Sequence, residues 1–313
     1  MNLLNLRKKS FYSFLFFFFT ILHTDIVHGQ GCSDAGLCTI DGFKPSVKSN
    51  DQARSYKNAV RFGIGFGKAD FDINVLNSYI SYVRNVNDKW GIEAKLTGIS
   101  QSGNDLSNAG LSDIFLNATY RANKKIRFFI GTKLPLSNAG KSKDGIALPM
   151  DYQSSLGTVD LMAGVGYDIR DFQFMLGLQQ PLMSENSNKF LSSAFPSNSI
   201  FSQFPSTRNF VRKSDVLLRA SYVWKVSGSW NITPAVLGIY HLADDEFTNT
   251  LAQKIRLEGS QGLTCNLNLY ADYMLNAKSK FQLQVAAPVV VRDTRPDGLT
   301  RKWVAGLEYQ LSF

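Results

Sequence analysis

Residues 302–313 read KWVAGLEYQLSF and carry the clearest structural signal in the chain. An apolar or aromatic residue recurs at every second position from Trp303 to Phe313. Glu308 and Gln310 occupy alternate positions between them. Successive side chains of a strand point to opposite faces, so this period of two predicts a strand with one apolar face and one polar face.

Eleven further stretches with the same alternation precede this one. We expect the strands to cover residues 60–67, 71–82, 90–96, 113–121, 126–133, 159–167, 172–178, 215–224, 230–240, 263–273, 281–289 and 303–313. The alternation slips near Leu76–Tyr79, which predicts a bulge in the second strand.

The connections alternate in length. Those after even-numbered strands are short, namely NVNDK, ANKK, DIRD, VSGS and NAKSK, whereas most of the others are long, at 100–110, 136–155, 182–213 and 241–260. This rhythm is typical of outer-membrane barrels, which have short periplasmic turns and long outer loops. The sequence therefore predicts an all-β, closed antiparallel transmembrane barrel over residues 56–313, with twelve strands and ten or fourteen as alternatives.

Aromatic residues near the strand ends fit either an interfacial girdle of a membrane barrel or the core of a soluble β protein. They are Tyr120, Tyr167, Tyr222, Trp224, Trp230, Trp303 and Tyr309. The export signal and the loop rhythm favour the girdle.

The N-terminal residues have the order of an export signal. Basic residues at 7–9 precede the apolar run Phe11–Leu22, and a small residue follows at Gly29. Such a run is too short for a comfortable transmembrane helix, so we expect residues 1–29 to be a cleaved signal peptide. Residues 30–55 are then a periplasmic or plug segment, and the chain belongs in the outer membrane of a Gram-negative bacterium. Acylation at Cys32 is the alternative, although Gly29–Gly31 lacks the usual aliphatic residue.

Composition narrows the class of partner. The formal net charge is +9, but Lys and Arg are scattered without a basic patch, which argues against nucleic acid. Outer-membrane lipid and lipopolysaccharide are the expected partners for these charges. Charged residues make up 19% of the chain, below the roughly 25% of soluble domains.

Cysteine usage points to no metal site or cofactor. Cys32 and Cys38 are expected to form a disulfide in an oxidising periplasm, the alternative being two free thiols. Cys265 falls on an outward face, where it acts as a small apolar residue. No His cluster accompanies any of them.

Two resemblances extend these expectations. The last strand resembles the C-terminal strands of outer-membrane barrels, which implies recognition by the barrel-insertion machinery. Residues 110–180 contain GLSDIFLNATYR, IGTKLPLSN and ALPMDYQSSLGTVDLMAGVGYDI. They are similar to the outer-membrane channels named for phenol degradation by the meta pathway, near the long-chain fatty-acid transporters. The matching positions are Gly110, Leu111, Asp113, Lys133, Leu134, Pro135, Leu148, Pro149, Gly157, Thr158 and Asp160.

The resemblance implies passive uptake or efflux of small, hydrophobic or aromatic compounds. A structural or adhesive barrel with a filled lumen is the alternative. The inward faces carry polar residues that either line a solute path or fill the lumen as a salt-bridge network. They are Arg61, Glu93, Lys95, Asp113, Asn117, Arg121, Arg127, Lys133, Asp160, Arg219, Asp272, Glu308 and Gln310.

The long loop over residues 190–210 is rich in phenylalanine. We expect it either to form an apolar entrance that captures solutes or to fold back into the barrel mouth. The rings concerned are Phe190, Phe195, Phe201, Phe204 and Phe210.

An enzymatic barrel is not expected. His241 is the one histidine after residue 29, with Asp244 and Asp245 nearby, but a general base needs a positioned partner that this cluster does not supply. A serine–histidine phospholipase site has equally little support.

Overall fold

The computed structural model describes residue 40 and residues 42–45, 56–297 and 301–313. The expected signal peptide and the Cys32–Cys38 disulfide lie outside these residues. Within the described residues, Cys265 has a free thiol.

Twelve strands form the wall. They are β1 (Asn58–Lys68), β2 (Asn74–Asn85), β3 (Trp90–Gly103), β4 (Leu106–Arg121), β5 (Ile126–Pro135), β6 (Val159–Ile169), β7 (Phe172–Met183), β8 (Asp215–Tyr222, with its pairing extended by Trp224–Lys225), β9 (Trp230–His241), β10 (Gly262–Met274), β11 (Ser279–Val290) and β12 (Trp303–Ser312). Each pairs antiparallel with its neighbours, and β1 pairs with β12, for example Arg61 opposite Gln310. The predicted closed twelve-stranded barrel is confirmed, and it has no free edge.

Four of the tight turns share one capping device. In three of them an Asn side-chain oxygen accepts hydrogen bonds from two following backbone N–H groups, at Asn87, Asn123 and Asn276. In the fourth, the hydroxyl of Ser227 does the same. Asn and Ser favour such turns because their short side chains reach the backbone two or three residues on. The sequence therefore fixes the short end of the barrel locally.

Two local predictions were wrong. Residues 100–110 are not a loop, because β3 and β4 extend outward and meet at Asn104 and Asp105, both with positive φ (51° and 59°). Asn and Asp tolerate this conformation, which suits a two-residue hairpin turn. The bulge predicted in β2 is absent, since β2 pairs in unbroken register with both neighbours. A register shift occurs in β3 instead, between Leu96 and Gly98.

The outer face of the barrel is apolar. Side chains such as Phe62, Ile130 and Leu218 are more than half exposed, at 51%, 55% and 57%. An apolar surface of this extent requires lipid to cover it. Within the described residues, no helix is long and apolar enough to cross a membrane.

Aromatic pairs mark the ends of this face. Rings pack across neighbouring strands beside the short turns at centroid distances of 4.7–5.0 Å, in the pairs Trp90–Tyr120, Trp230–Tyr273, Phe172–Tyr222 and Phe281–Tyr309. Phe66 and Trp303 pack at the opposite end of β1 and β12, at 5.6 Å. These positions fit the interfacial girdle of a membrane barrel.

Loops cover the other end. Two short hairpins, Ser142–Lys143 with Ile146–Ala147 and Glu246–Thr248 with Lys254–Arg256, rise from them. The amide of buried Asn188 donates to the carbonyl oxygens of Ala139 and Leu148, at 2.9 and 3.0 Å. This residue therefore joins the loop over 184–214 to the loop over 136–158.

Candidate solute pathway in the barrel lumen

The lumen has two chemically different walls. Strands β1–β3 and β10–β12 present mainly polar groups inward, among them Arg61, Glu93, Lys95, Asp272 and Glu308. Strands β4–β9 present a buried apolar cluster at mid-height, made of Phe115, Phe129, Met162, Met175, Leu217, Leu237 and Ile239. The same strands also carry buried charged groups, among them Asp113, Lys133, Asp160 and Arg219, so hydrocarbon faces the polar groups of the other strands only at this cluster.

A non-strand segment lies between these walls. Ile40 and Gly42–Pro45, here called the lumenal segment, contain a tight turn in which the N–H groups of Phe43 and Lys44 donate to the Ile40 carbonyl. The side chains of Ile40 and Phe43 are fully buried in the apolar cluster. The Phe43 ring meets the Phe129 ring edge-to-face at 6.0 Å. Burial of two large side chains against this wall stabilises the segment in the lumen.

The lumenal segment is bound to the polar wall through Lys44. Its Nζ donates to Glu308 Oε2 at 2.9 Å and to the Tyr79 hydroxyl at 3.3 Å. Tyr79 also donates a short hydrogen bond to Glu308, and Arg61 Nε lies 3.8 Å from the same carboxylate. Burial lowers the pKa of Lys44, but Glu308 and Tyr79 together outweigh burial and raise this pKa above its ordinary value, so Lys44 is charged.

Arg219 holds the same segment from the apolar wall. Its guanidinium donates to the Phe43 carbonyl oxygen and lies 4.5 Å from the centre of the Phe43 ring. A buried Arg that combines a hydrogen bond with a cation–π contact fixes both backbone and ring.

Most of the predicted inward residues do face the lumen, and many are paired. Lys133 Nζ lies 2.8 Å from Asp160, Lys280 lies 3.0 Å from Asp272, and Asn117 donates to Glu93 at 3.3 Å. Asp113 accepts hydrogen bonds from Ser155 and Ser112, at 2.6 and 2.7 Å. Gln310 accepts from Arg61 at 2.9 Å. The polar set is thus built as a network around the lumenal segment.

Two members of the set lie near the periplasmic end. Arg127 pairs with Asp168 at 3.4 Å, close to the turn that joins β4 and β5. Arg121 is exposed at the end of β4.

Sequence reasoning missed the apolar wall and Tyr79. The signal was present: Phe129 follows Phe128, Leu217 precedes Leu218, and both faces of these strands are apolar. In β2 the slip near Leu76–Tyr79 reflects Tyr79 pointing inward and Ser78 outward, not a bulge. The alternation of apolar and polar residues is therefore interrupted where apolar or aromatic side chains point into the lumen.

The phenylalanine-rich loop folds back over the mouth. Phe190 and Phe204 are buried with Tyr152, Leu148, Ile73 and Val75, and Phe210 is buried elsewhere. Phe195 and Phe201 are half-buried on the edge of the same cluster. The rings of Phe190, Phe204 and Phe210 are therefore covered in this conformation.

His241 is a structural group. Its Nδ1 lies 2.6 Å from Asp215, its Nε2 lies 2.8 Å from Asp245, and the ring is 1% exposed. Arg212 also contacts Asp215, at 2.5 Å, whereas Asp244 accepts from the backbone of Gln261. Both ring nitrogens are occupied, so the ring is not placed to act as a general base.

Among the described residues, no group of three or more His, Cys, Asp or Glu side chains is arranged to hold a metal ion.

The closed barrel, its apolar outer face and its aromatic girdle define an integral outer-membrane β-barrel. A solved outer membrane channel from Pseudomonas putida F1 has a similar fold, with a TM-score of 0.56 at 14% identity over 82% of this chain and 96% of that one. The CymD monoaromatic hydrocarbon channel aligns with a TM-score of 0.45 at 11% identity, over 92% of this chain and 98% of that one. A Pseudomonas aeruginosa FadL homologue aligns with a TM-score of 0.42 at 10% identity, over 92% and 99%.

No family model matches the sequence, and no curated protein matches it. The likeness to the Pseudomonas putida channel shows the fold.

Proposed function

We propose that the chain is an outer-membrane channel for passive movement of small molecules, seen here in a closed state. The observation that carries this proposal is the lumenal segment. It is not a strand, it lies in the lumen at mid-height, and it is held by contacts with both walls. A wall residue cannot leave the barrel, whereas a segment outside the strand ladder can move without breaking that ladder.

The solutes we propose are small compounds with substantial apolar surface. The cluster around Phe115, Phe129 and Met162 offers such a molecule a hydrocarbon wall once the lumenal segment withdraws. The resemblance of residues 110–180 to channels named for phenol degradation supports the same class. Movement would follow the concentration gradient, because nothing among the described residues couples it to an energy source.

We also propose the remaining assignments made from the sequence. Residues 1–29 act as a signal peptide, and Cys32 and Cys38 form a disulfide ahead of the lumenal segment. The barrel contacts lipid and lipopolysaccharide and is inserted through recognition of its last strand. Removing Phe313 should then reduce the amount of heat-modifiable, folded barrel in the outer membrane without lowering export to the periplasm.

Single-channel recording in a planar bilayer tests the channel proposal. The refolded wild-type protein is compared with a variant that lacks residues 30–50, a deletion that removes the lumenal segment and leaves every strand intact. We expect rare, brief openings from the wild type and long, larger openings from the deletion variant. Silence from both, with folding verified by heat-modifiable migration, would favour a structural or adhesive barrel with a filled lumen.

A further inference from the structure

A cavity of about 160 Å³ lies on the outer side of Lys44. Strands β1–β5, β11 and β12 surround it, and Ser155, Leu156 and Arg301 of the outer loops contribute to its lining. Lys44 and Glu308 pair at its inner end. This pair holds the lumenal segment but does not require an open space beside it.

The lining of this cavity has more positive than negative side chains. Lys133 is paired with Asp160, which lies outside the lining, so the balance is set by three cations, Lys44, Lys95 and Arg301, and two carboxylates, Asp113 and Glu308. Both carboxylates already accept hydrogen bonds, Asp113 from two serines and Glu308 from Lys44 and Tyr79. A further negative charge in the cavity would therefore meet an excess of positive charge.

Two of the cations converge on one aromatic ring. Lys95 Nζ lies 3.7 Å from the centre of the Tyr79 ring, and Lys44 Nζ lies 5.3 Å from the same centre. Two ammonium groups gathered in a protein interior repel each other, and an anion placed near both reduces this repulsion. The end of the cavity at Tyr79 is thus suited to a carboxylate or phenolate.

The rest of the cavity suits hydrocarbon. Phe115, Leu156, Ile99 and Val304 contribute apolar surface to its lining. An apolar protein cavity of about 150 Å³ is large enough for benzene. The volume therefore admits a hydrocarbon group of about one six-membered ring.

We propose that this cavity binds a small organic acid, with its anionic group at Lys95 and Lys44 and a hydrocarbon part no larger than about one ring toward Phe115 and Leu156. The inference rests on the proposed channel function and narrows its solute class from apolar compounds in general to small amphipathic anions. Lys95 is the residue that determines specificity, because its charge lies at the cavity and outside the pair that holds the lumenal segment.

Equilibrium dialysis of the full barrel in neutral detergent micelles tests this site. Labelled benzoate, benzyl alcohol and benzylammonium share a ring but differ in charge, and empty micelles correct for partition into detergent. We expect benzoate to bind at least tenfold more tightly than the other two compounds. Lys95→Met should abolish that preference, and Lys95→Arg, which keeps the charge, should retain it.

The matched control is Lys280→Met, which removes a lumenal lysine outside the cavity and should change benzoate affinity less than twofold. If Lys95→Met does not fold, Gln284→Phe serves instead, because Gln284 lines the cavity and a larger side chain there should exclude benzoate. Equal binding of the three compounds, or benzoate binding that neither Lys95→Met nor Gln284→Phe weakens, would overturn the proposal.

Liposome swelling with the same three compounds separates this inference from the channel proposal. Benzoate binding that depends on Lys95, without swelling in any of the three, would support the site and contradict the channel. Equal swelling in all three, without charge preference in binding, would support the channel and contradict the site.

Discussion

Lys44 Nζ and Glu308 Oε2 lie 2.9 Å apart, although the two residues are 264 positions apart in the chain. This ion pair joins the lumenal segment to the last strand of the barrel wall. Its side chains are 12% and 7% exposed, so water screens the attraction little. The pair is therefore the contact whose loss should most directly free the segment.

Glu308→Gln should raise the open probability of the channel. The substitution keeps the shape of the side chain but leaves the ammonium group of Lys44 buried without its carboxylate. A buried hydrogen bond between charged groups contributes about 1.5–3 kcal/mol, which corresponds to a change of roughly ten- to a hundredfold in the docking equilibrium. Single-channel recording measures this change as a longer time spent open.

The control for that change is Glu185→Gln. Glu185 pairs with Lys254 at 3.3 Å, but both side chains are more than half exposed, so the pair contributes little. Open probability should remain at the wild-type level. An unchanged Glu308→Gln channel would mean that the apolar contacts of Ile40 and Phe43 hold the segment without the ion pair.

Gly164→Ala should destabilise the barrel. A Cβ atom at Gly164 would lie 2.4 Å from the backbone carbonyl oxygen of Leu176 and 2.4 Å from the Phe129 ring. The carbonyl belongs to the neighbouring strand and cannot move aside, so the free energy of unfolding should fall by about 1–3 kcal/mol. Urea unfolding in lipid vesicles measures the loss.

Gly228→Ala provides the comparison for Gly164→Ala. No atom lies within 4 Å of a Cβ at Gly228, which occupies a short turn. Its free energy of unfolding should differ from wild type by less than about 0.5 kcal/mol, as for ordinary surface changes. A similar loss in both variants would point to a general cost of replacing glycine and not to the close contact at Gly164.

The packing of the loop over 136–158 should weaken as pH rises. Burial raises the pKa of Asp151 to about 7, and the nearby carboxylates of Asp70 and Asp297 act in the same direction. The neutral acid is thus favoured in the packed loop, whereas a released loop has an ordinary Asp pKa near 3.9. Stability is full below that value, declines between it and about pH 7, and is constant above. Each pH unit in this range corresponds to about 1.4 kcal/mol.

Asp151→Asn should remove this dependence and protect the loop more strongly at pH 8. Hydrogen exchange of residues 136–158 at pH 5 and pH 8, corrected for intrinsic rates, measures the effect. Asp144→Asn is the control, since Asp144 is exposed in the same loop. If Asp151→Asn and wild type show equal pH dependence, another group controls the loop.

His241→Ala should loosen the contact between the loop over 242–261 and the barrel. The change removes the imidazole partner of Asp245 and of one oxygen of Asp215, whose other oxygen keeps Arg212, and leaving a buried polar group unsatisfied costs about 1–3 kcal/mol. Thermal unfolding and proteolysis of the loop should both report the loss. Asp244→Asn should change neither, because Asp244 contacts the Gln261 backbone and not the imidazole.

The sequence predicted best those features that depend on one strand alone, such as which of its side chains face lipid. Alternation in KWVAGLEYQLSF reports which side chains face lipid, because that choice depends only on the two-residue period of the strand. Tyr79 shows the limit of this reasoning. Its inward ring made β2 look irregular, although the strand is regular and the ring covers Gly63, where a Cβ would lie 2.1 Å from the ring.

The side-chain contacts inside the lumen join residues that are far apart in the chain. Inward positions such as Lys95 and Arg219 could be read from alternation, but their partners could not, since these lie on other strands or in the lumenal segment. Adjacent apolar pairs such as Phe128–Phe129 marked the apolar wall without showing that Phe43 would pack against it.

The sequence by itself determined the barrel, its strand order and its location in the outer membrane, because local periodicity, turn residues and loop lengths act within or between neighbouring strands. Tertiary structure alone decided that an apolar cluster on β4–β9 faces polar groups of the other strands, and that Ile40, Phe43 and Lys44 lie between them. The physical reason is closure of the barrel, because pairing of β1 with β12 brings residues from the two ends of the chain within hydrogen-bond distance. The sequence of one strand does not predict which residues it faces across the lumen.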